Sequence, residues 1–320
     1  MRIFIIIISY EFDCMPELIY AHIDAAPDTQ DYQPSAFAER QALMPMWGAR
    51  PIGADHWSKA WQAAQQAGST EGVLAYIHVP FCANHCVFCG FYRNGWREDN
   101  GKAFVTRLIA ELANDARHRP AGAQVEALYF GGGTPTLLET DDLVSLIAAA
   151  RAYLPLTQDC EITIEGRVSH FSADKVAACA AAGANRFSFG VQTFDGALRR
   201  RLGRKHDGEQ LITYLRNLRQ RTDAALVVDL MFGLPGQNDD CWANDLATAT
   251  SLEMDGLDLY AFNAYPELPM LRMIEKGALP ALPALAEQAR HYATAVGYLQ
   301  LAGWKQLSNS HFASASKERN

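Results

Sequence analysis

No stretch of this 320-residue chain approaches the ~20 consecutive apolar residues that a membrane-spanning helix requires. Its one compact apolar run, residues 3–8, is too short, and no small-residue cleavage site follows it. Met15 offers an alternative start, which would make that run an upstream translation artefact. Positive charge is also scarce: 28 Lys and Arg against 36 Asp and Glu give a net charge of −8. Such a balance excludes bulk binding of nucleic-acid phosphates. A glycine run at 131–133 is not followed by a Lys-Ser/Thr pair, which argues against a nucleotide P-loop. Apolar content of 49% and ordinary glycine use exclude a disordered chain. The length suits one large α/β domain or two smaller ones. The reading is cytoplasmic, a compartment in which thiols stay reduced.

Three of the seven cysteines are crowded together as Cys82, Cys86 and Cys89, with spacing C-x3-C-x2-C. A [4Fe–4S] cube held by protein alone takes four cysteines. Three leave one iron open, as an open position makes a zinc site catalytic rather than structural. A zinc site would need a fourth ligand, which His78 or His85 could offer. Phe81, Phe88, Phe91 and Tyr92 are expected to wall the cluster from water. Cys14, Cys160, Cys179 and Cys241 are dispersed and read as small buried hydrophobes.

Beyond about residue 72, strand-like and helix-like segments alternate. Strands are expected at 74–79, 127–130, 161–164, 186–191, 225–231 and 256–262, and helices at 101–118, 140–153, 172–182, 208–221 and 239–254. Thr140 with Asp141 and Asp142, and Ser172 with Asp174, look like helix starts, and Gly183 and Gly256 like helix stops. Repeated βα units imply a parallel sheet with right-handed crossovers; the pattern alone does not choose between an open sheet and a partial barrel. In β/α barrels the chemistry gathers at the C-terminal strand ends. The polar signals fall there: the cysteine loop, Gly131-Gly132-Gly133-Thr134-Pro135, Glu165 and Arg167, Gln192 and Thr193, Asp229, then Asn263 and Tyr265. A carboxylate buried on a strand is costly unless it is partnered, which makes Asp229 a functional candidate. Arg204 lies in a basic stretch, 199–205, that reads equally well as solvated surface.

Residues 78–91 resemble the cluster loop of radical S-adenosylmethionine (SAM) enzymes, and the chain is most similar to their oxygen-independent coproporphyrinogen III oxidase-like family. The resemblance runs from about Trp47 to Asn320 and implies a partial (β/α)6 barrel. It divides the chain into an N-terminal extension (1–72), a radical SAM core (73–270) and the start of a substrate-covering region (271–320). Cys82, Cys86 and Cys89 would hold the [4Fe–4S] cluster. Tyr76, Gly132 and Glu165 match contacts to a first SAM. Phe88, Gly133, Thr134, Gln192, Arg204 and Asp229 match contacts to a second. Gly166-Arg167 after Glu165, Gly90-Phe91 after the cluster loop, and His311-Phe312-Ala313 resemble the haem-utilisation branch. That branch opens the haem macrocycle with a methyl-derived carbon and releases iron. Coproporphyrinogen decarboxylation and non-catalytic haem delivery are the alternatives the resemblance leaves. The expected partners are haem or a related tetrapyrrole and an electron donor such as flavodoxin or ferredoxin. Arg167, Arg93 and Lys205 are candidate cations for propionates. His311 is a candidate haem contact, although its place near the chain end favours a surface-loop histidine. Such relatives continue past the position of Asn320, so the chain is read as a fragment or a truncated product.

Overall fold

The computed structural model describes a strand at residues 5–9, isolated residues between 53 and 63, and residues 72–320 apart from 92–93, 120–121, 123, 315–317 and 319–320. Cys14, Trp47, Tyr92 and Arg93 therefore lie outside the described residues. The strands are β1 (Ile5–Ser9), β2 (Val73–Val79), β3 (Phe81–Cys82), β4 (Asn94–Gly95), β5 (Val125–Gly132), β6 (Leu156–Gly166), β7 (Arg186–Gln192), β8 (Ala225–Phe232), β9 (Gly256–Ala261), β10 (Lys305–Gln306) and β11 (His311–Ala313). The helices are α1 (Asn100–His118), α2 (Thr140–Tyr153), α3 (Ala173–Ala182), α4 (Gly196–Arg201), α5 (Gly208–Arg219), α6 (Asp239–Ser251), α7 (Pro269–Glu275) and α8 (Leu285–Leu301).

Strands β2, β5, β6, β7, β8 and β9 are parallel and lie side by side in chain order. The order never reverses, so right-handed crossovers place their helices on one face of the sheet. A doubly wound sheet would reverse at a switch point and carry helices on both. The result is a partial (β/α)6 barrel with one helix-covered face and one open, inner face. Antiparallel strands flank its two ends: β1 pairs with β2, and β11 pairs with β9. The apolar run near the N-terminus thus contributes to an edge strand of the sheet.

The two-residue period of each strand sorts its side chains. Ile77, Leu128, Phe130, Ile162, Ile164, Phe187, Phe189, Leu226, Val228 and Leu257 point to the helices and are buried. There they meet Leu108, Leu112, Leu143, Ile147 and Leu215, each worth roughly 1.5–3 kcal/mol on burial. The alternate positions carry Tyr76, Tyr129, Thr163, Glu165, Arg186, Ser188, Asp229 and Asp258 to the inner face.

Local signals explain most element ends. Ser172 caps α3 by accepting from the Lys175 amide, and Gly183 ends it at φ 116°. Asp207 and Gln210 close a capping box on α5. Thr140 is the first residue of α2 rather than its cap; Asp141 and Asp142 face the helix dipole from within the first turn. Gly256 is not a helix stop. Helix α6 ends at Ser251, Glu253 takes the positive φ of 53°, and Gly256 opens β9. Its hydrogen is needed there, because a Cβ would lie 2.8 Å from Val227 Cγ2 and 3.0 Å from His311 Cε1.

Residues 285–313 are built into the barrel wall. Helix α8 lies against α6, where Trp242 Nε1 donates to the His291 carbonyl at 2.7 Å. Among the described residues no helix is long and apolar enough to cross a membrane.

Candidate active site

The cysteine loop begins in β3, just after β2, the first of the six parallel strands, ends. Phe81 anchors it from below, packed edge-on against Trp96 (5.8 Å) and Phe104 (5.4 Å). The Trp96 amide also donates to the Cys82 carbonyl at 2.9 Å. Cys82 and Cys86 are buried and Cys89 is partly exposed. The Phe91 amide donates to Cys89 Sγ at 3.4 Å, and the Thr134 hydroxyl lies 3.9 Å from Cys82 Sγ. Burial pushes the Cys82 thiol up; Thr134 pulls it down, Cys89 and Cys86 push it further up, and Arg167 opposes them. Cys82 therefore lies within the field of both other cysteines. Met270 and Leu268 brace the loop from the far side, where the Met270 amide donates to the Val87 carbonyl at 3.0 Å. Phe91 does not wall the site, because it is 78% exposed. His85 Nε2 lies 3.2 Å from the Cys89 carbonyl, on the exposed side of the loop. Among the described residues no three His, Cys, Asp or Glu side chains converge on a point that one metal ion could fill. A cubane makes a different demand, since each thiolate binds its own iron.

The glycine run lies across the end of β5, directly over this loop. The Gly133 amide donates to the Val79 carbonyl at 2.8 Å, and a Cβ on Gly133 would sit 2.4 Å from Phe81 O. A Cβ on Gly131 would meet Glu165 Oε2 at 2.8 Å and the Tyr76 hydroxyl at 2.9 Å. Bare backbone is thus required where Tyr76, Tyr129 and Glu165 converge. Burial pushes the Glu165 carboxyl up to about 7, against the pull of the Gly132 amide and of Arg204. A cationic ligand here would restore the carboxylate. Gly132 is at φ 118°, and a Cβ there would lie 2.8 Å from the Val79 carbonyl oxygen. Gly132→Val would therefore distort β2 beside Cys82 as well as the cradle. Glu165→Gln separates the two effects: it is expected to keep the iron content of reconstituted protein and to weaken SAM binding about tenfold, read by equilibrium dialysis.

Gln192 closes β7 at φ 68°, a left-handed conformation that costs a non-glycine residue about 1–3 kcal/mol and marks functional sites when it persists. Its side-chain oxygen accepts from Arg204 Nη2. The Arg204 guanidinium stands 5.3 Å over the Phe88 ring. Burial lowers Arg204 to about 10, while the nearby Cys86 thiol opposes that shift. Its Nε is buried without a hydrogen-bond partner, as is Arg167 Nε, whose Nη1 reaches Asn84 Oδ1 at 3.0 Å. Two cations with donors left over beside the cysteines leave room for an acceptor on a ligand.

Lower on the inner face, Ser188 Oγ donates to Asp229 Oδ1 at 3.1 Å. Burial, then the neighbouring carboxylates Asp258 and Glu165, raise the Asp229 carboxyl well above its usual range. Asp229 and Asp258 are direct neighbours across β8 and β9. Next to them lies an ion network that the sequence does not announce. Arg186 Nε meets both oxygens of Glu318 at 3.0 Å. His311 Nδ1 lies 3.0 Å from Asp258 Oδ1, and His311 Nε2 makes an ion-pair contact of 3.2 Å with Glu318. His311 is no surface-loop histidine; it is 5% exposed, with Asp258 on Nδ1 and the Glu318 carboxylate facing Nε2. Chain-end position misled here because β11 returns to the sheet.

Burial lowers the His311 pKa, but Asp258 and Glu318 outweigh it and raise it to about 9. The raised value means the pair stabilises the fold fully below about pH 6.5 and is lost as pH rises through about 9. A shift of this size corresponds to about 3 kcal/mol. Thermal melts from pH 6.5 to 9.5 are expected to fall for the parent and to fall much less for His311→Gln.

The arrangement is that of a redox-cofactor enzyme: a cysteine loop, a bare glycine cradle with a poised carboxyl, and a polar inner face beneath them. The chain belongs to the radical SAM superfamily, whose sequence profile matches residues 76–249. Members of this family carry a [4Fe–4S] cluster and SAM. The chain is 42% identical over 288 residues to the anaerobilin synthase of Escherichia coli O157:H7, an alignment covering 89% of this chain and 64% of that protein. It is 31% identical to the heme chaperone HemW of Bacillus subtilis, covering 76% of this chain and 64% of the other. Among solved structures, coproporphyrinogen III oxidase (HemN) from Escherichia coli aligns with a TM-score of 0.73 at 25% identity, covering 88% of this chain and 64% of that one. The chain thus spans under two thirds of the length of these relatives.

Proposed function

We propose that this chain carries the catalytic core of a radical SAM enzyme of anaerobic haem utilisation, one that methylates and opens the haem macrocycle and releases its iron. The observation that carries this reading is its 42% identity to an anaerobilin synthase across 89% of the chain. The site fits the cofactors in its own terms: three thiols in one loop, a cradle that excludes any Cβ, and buried cationic donors without partners. In this reading Cys82, Cys86 and Cys89 hold the cluster. With SAM bound, that cluster supplies one-electron cleavage of a sulfonium carbon–sulfur bond.

The rest of the work falls to the chain's own residues. Tyr76, Gly132 and Glu165 orient a first SAM, with the Glu165 carboxylate meeting its ammonium. Phe88, Gly133, Thr134, Gln192, Arg204 and Asp229 hold a second SAM, with Arg204 on its carboxylate and Asp229 on its polar sugar or sulfonium. The buried inner face keeps water from the reactive carbon. Arg167, beside Asn84, and the exposed Lys205 are the cations for tetrapyrrole propionates. His311, with Asp258 on Nδ1 and Glu318 facing Nε2, is assigned here to the ion network of the barrel wall rather than to haem. An electron donor such as flavodoxin or ferredoxin supplies the electron.

The likeness to a coproporphyrinogen oxidase and to a haem chaperone defines the two competing readings. Anaerobic incubation with reductant, SAM and haem, followed by mass analysis, separates all three. A methylated linear tetrapyrrole is the expected product. Carbon dioxide from coproporphyrinogen would establish the decarboxylase, and haem retained without SAM cleavage the chaperone.

A further inference from the structure

The basic stretch after β7 holds one arginine unlike its neighbours. Arg200, Arg201 and Lys205 are exposed, whereas Arg199 is 4% exposed. Burying a guanidinium is costly unless its donors are matched. Arg199 matches them on backbone: Nη1 donates to the Val191 carbonyl at 2.8 Å and to the Thr193 carbonyl at 2.9 Å, and Nε to the His206 carbonyl at 2.7 Å. Val191 and Thr193 flank Gln192, the residue at φ 68°. His206 lies two residues beyond Arg204, whose own amide donates to the Arg199 carbonyl at 2.9 Å. One side chain therefore grips both sides of Gln192 and the far side of Arg204.

Helix α6 supplies the counterpart. Asp245 is 0% exposed, and its Oδ1 accepts the Phe194 amide at 2.6 Å. Burial pushes its carboxyl up to about 6; the Phe194 amide, then the Thr193 hydroxyl and lastly the field of Arg199 draw it down. The turn after Gln192 is thus fixed from two elements, α4 and α6. Strained backbone persists only where its surroundings over-determine it, and these two buried charges are what over-determines it here.

We infer that Arg199 and Asp245 are positioning residues, a buried clamp that sets Gln192 and Arg204 for ligand binding. The inference rests on the reading of Gln192 and Arg204 as contacts of the second SAM. Lysine at 199 keeps the charge but lacks the planar fork that spans three carbonyls. Asparagine at 245 keeps an acceptor for the Phe194 amide and removes the charge.

The test uses anaerobically reconstituted full chain and three readouts: iron content, melting temperature, and SAM stoichiometry and affinity by equilibrium dialysis. Arg199→Lys is expected to keep its iron and the tighter SAM equivalent, and to weaken the second by about tenfold or more, the usual size of such outer-layer effects. Asp245→Asn should do the same more mildly, and serves if Arg199→Lys fails to fold. Gln192→Gly removes the strain, so Arg199→Lys should lower the melting temperature less in that background than in the parent. Additive melting losses, or two SAM equivalents bound as in the parent, would overturn the clamp. Gln192→Ala tests the underlying reading separately: if it leaves SAM binding intact while the Arg199–Gln192 melting coupling persists, the clamp stands as a device of the fold and the ligand assignment fails.

Discussion

Cys82→Ala, Cys86→Ala and Cys89→Ala are each expected to abolish the broad visible absorption of anaerobically reconstituted protein, which in the parent should accompany about four irons per chain. The effect is all-or-none because three thiolates are the fewest that leave one iron open; a missing one exposes a second iron to solvent and loss. Cys160→Ala is the control. Cys160 is buried in β6 within the main core, and its carbonyl is held by Asn185 Nδ2 at 3.0 Å. Its loss should cost on the order of 1 kcal/mol of stability and leave the iron in place. Stoichiometric zinc in the parent, after iron-replete anaerobic expression, would overturn the cluster assignment.

Asp229→Asn is expected to keep formation of 5′-deoxyadenosine and to cut methylated tetrapyrrole by at least about tenfold. Burial and the adjacent Asp258 and Glu165 favour the protonated Asp229 carboxyl, and Ser188 already donates to it. Asparagine resembles that neutral form, so the fold should survive, as an unchanged melting temperature would show. A sulfonium placed near Asp229 would instead stabilise the carboxylate and expel its proton. Calorimetry in buffers of different ionisation heat should then show proton release on binding the second SAM in the parent and less of it in Asp229→Asn. Equal loss of both products at an unchanged melting temperature would place Asp229 at the first SAM or the cluster and defeat the two-SAM reading.

The parallel strands were legible because each is buried on its helix-facing side at alternate positions. The expected strand at 186–191 and the observed Arg186–Gln192 differ by one residue, and the helix expected at 140–153 is the one observed. Strands β1, β3, β4, β10 and β11 and helices α4, α7 and α8 were not among the expected elements. Two or three residues carry no period, and α4 is masked by its charge. Arg199 was hidden for the same reason: in a run of cations nothing local says which one turns inward. Glu318 was unreadable because its partners, Arg186 and His311, come from two separate strands, β7 and β11.

Local spacing and patterning by themselves determined the cysteine loop and the chain order of βα units, since each depends on neighbours within a few residues; the glycine run read as more than a turn only through the family resemblance. Only the tertiary structure decided which charges are buried and whom they meet. Asp229 beside Asp258, His311 between two carboxylates, and Arg199 gripping the Gln192 turn all arise where separate strands and helices converge. The free energy of a buried charge depends on its partners in space, and those partners are set by the closing of the sheet rather than by distance along the chain.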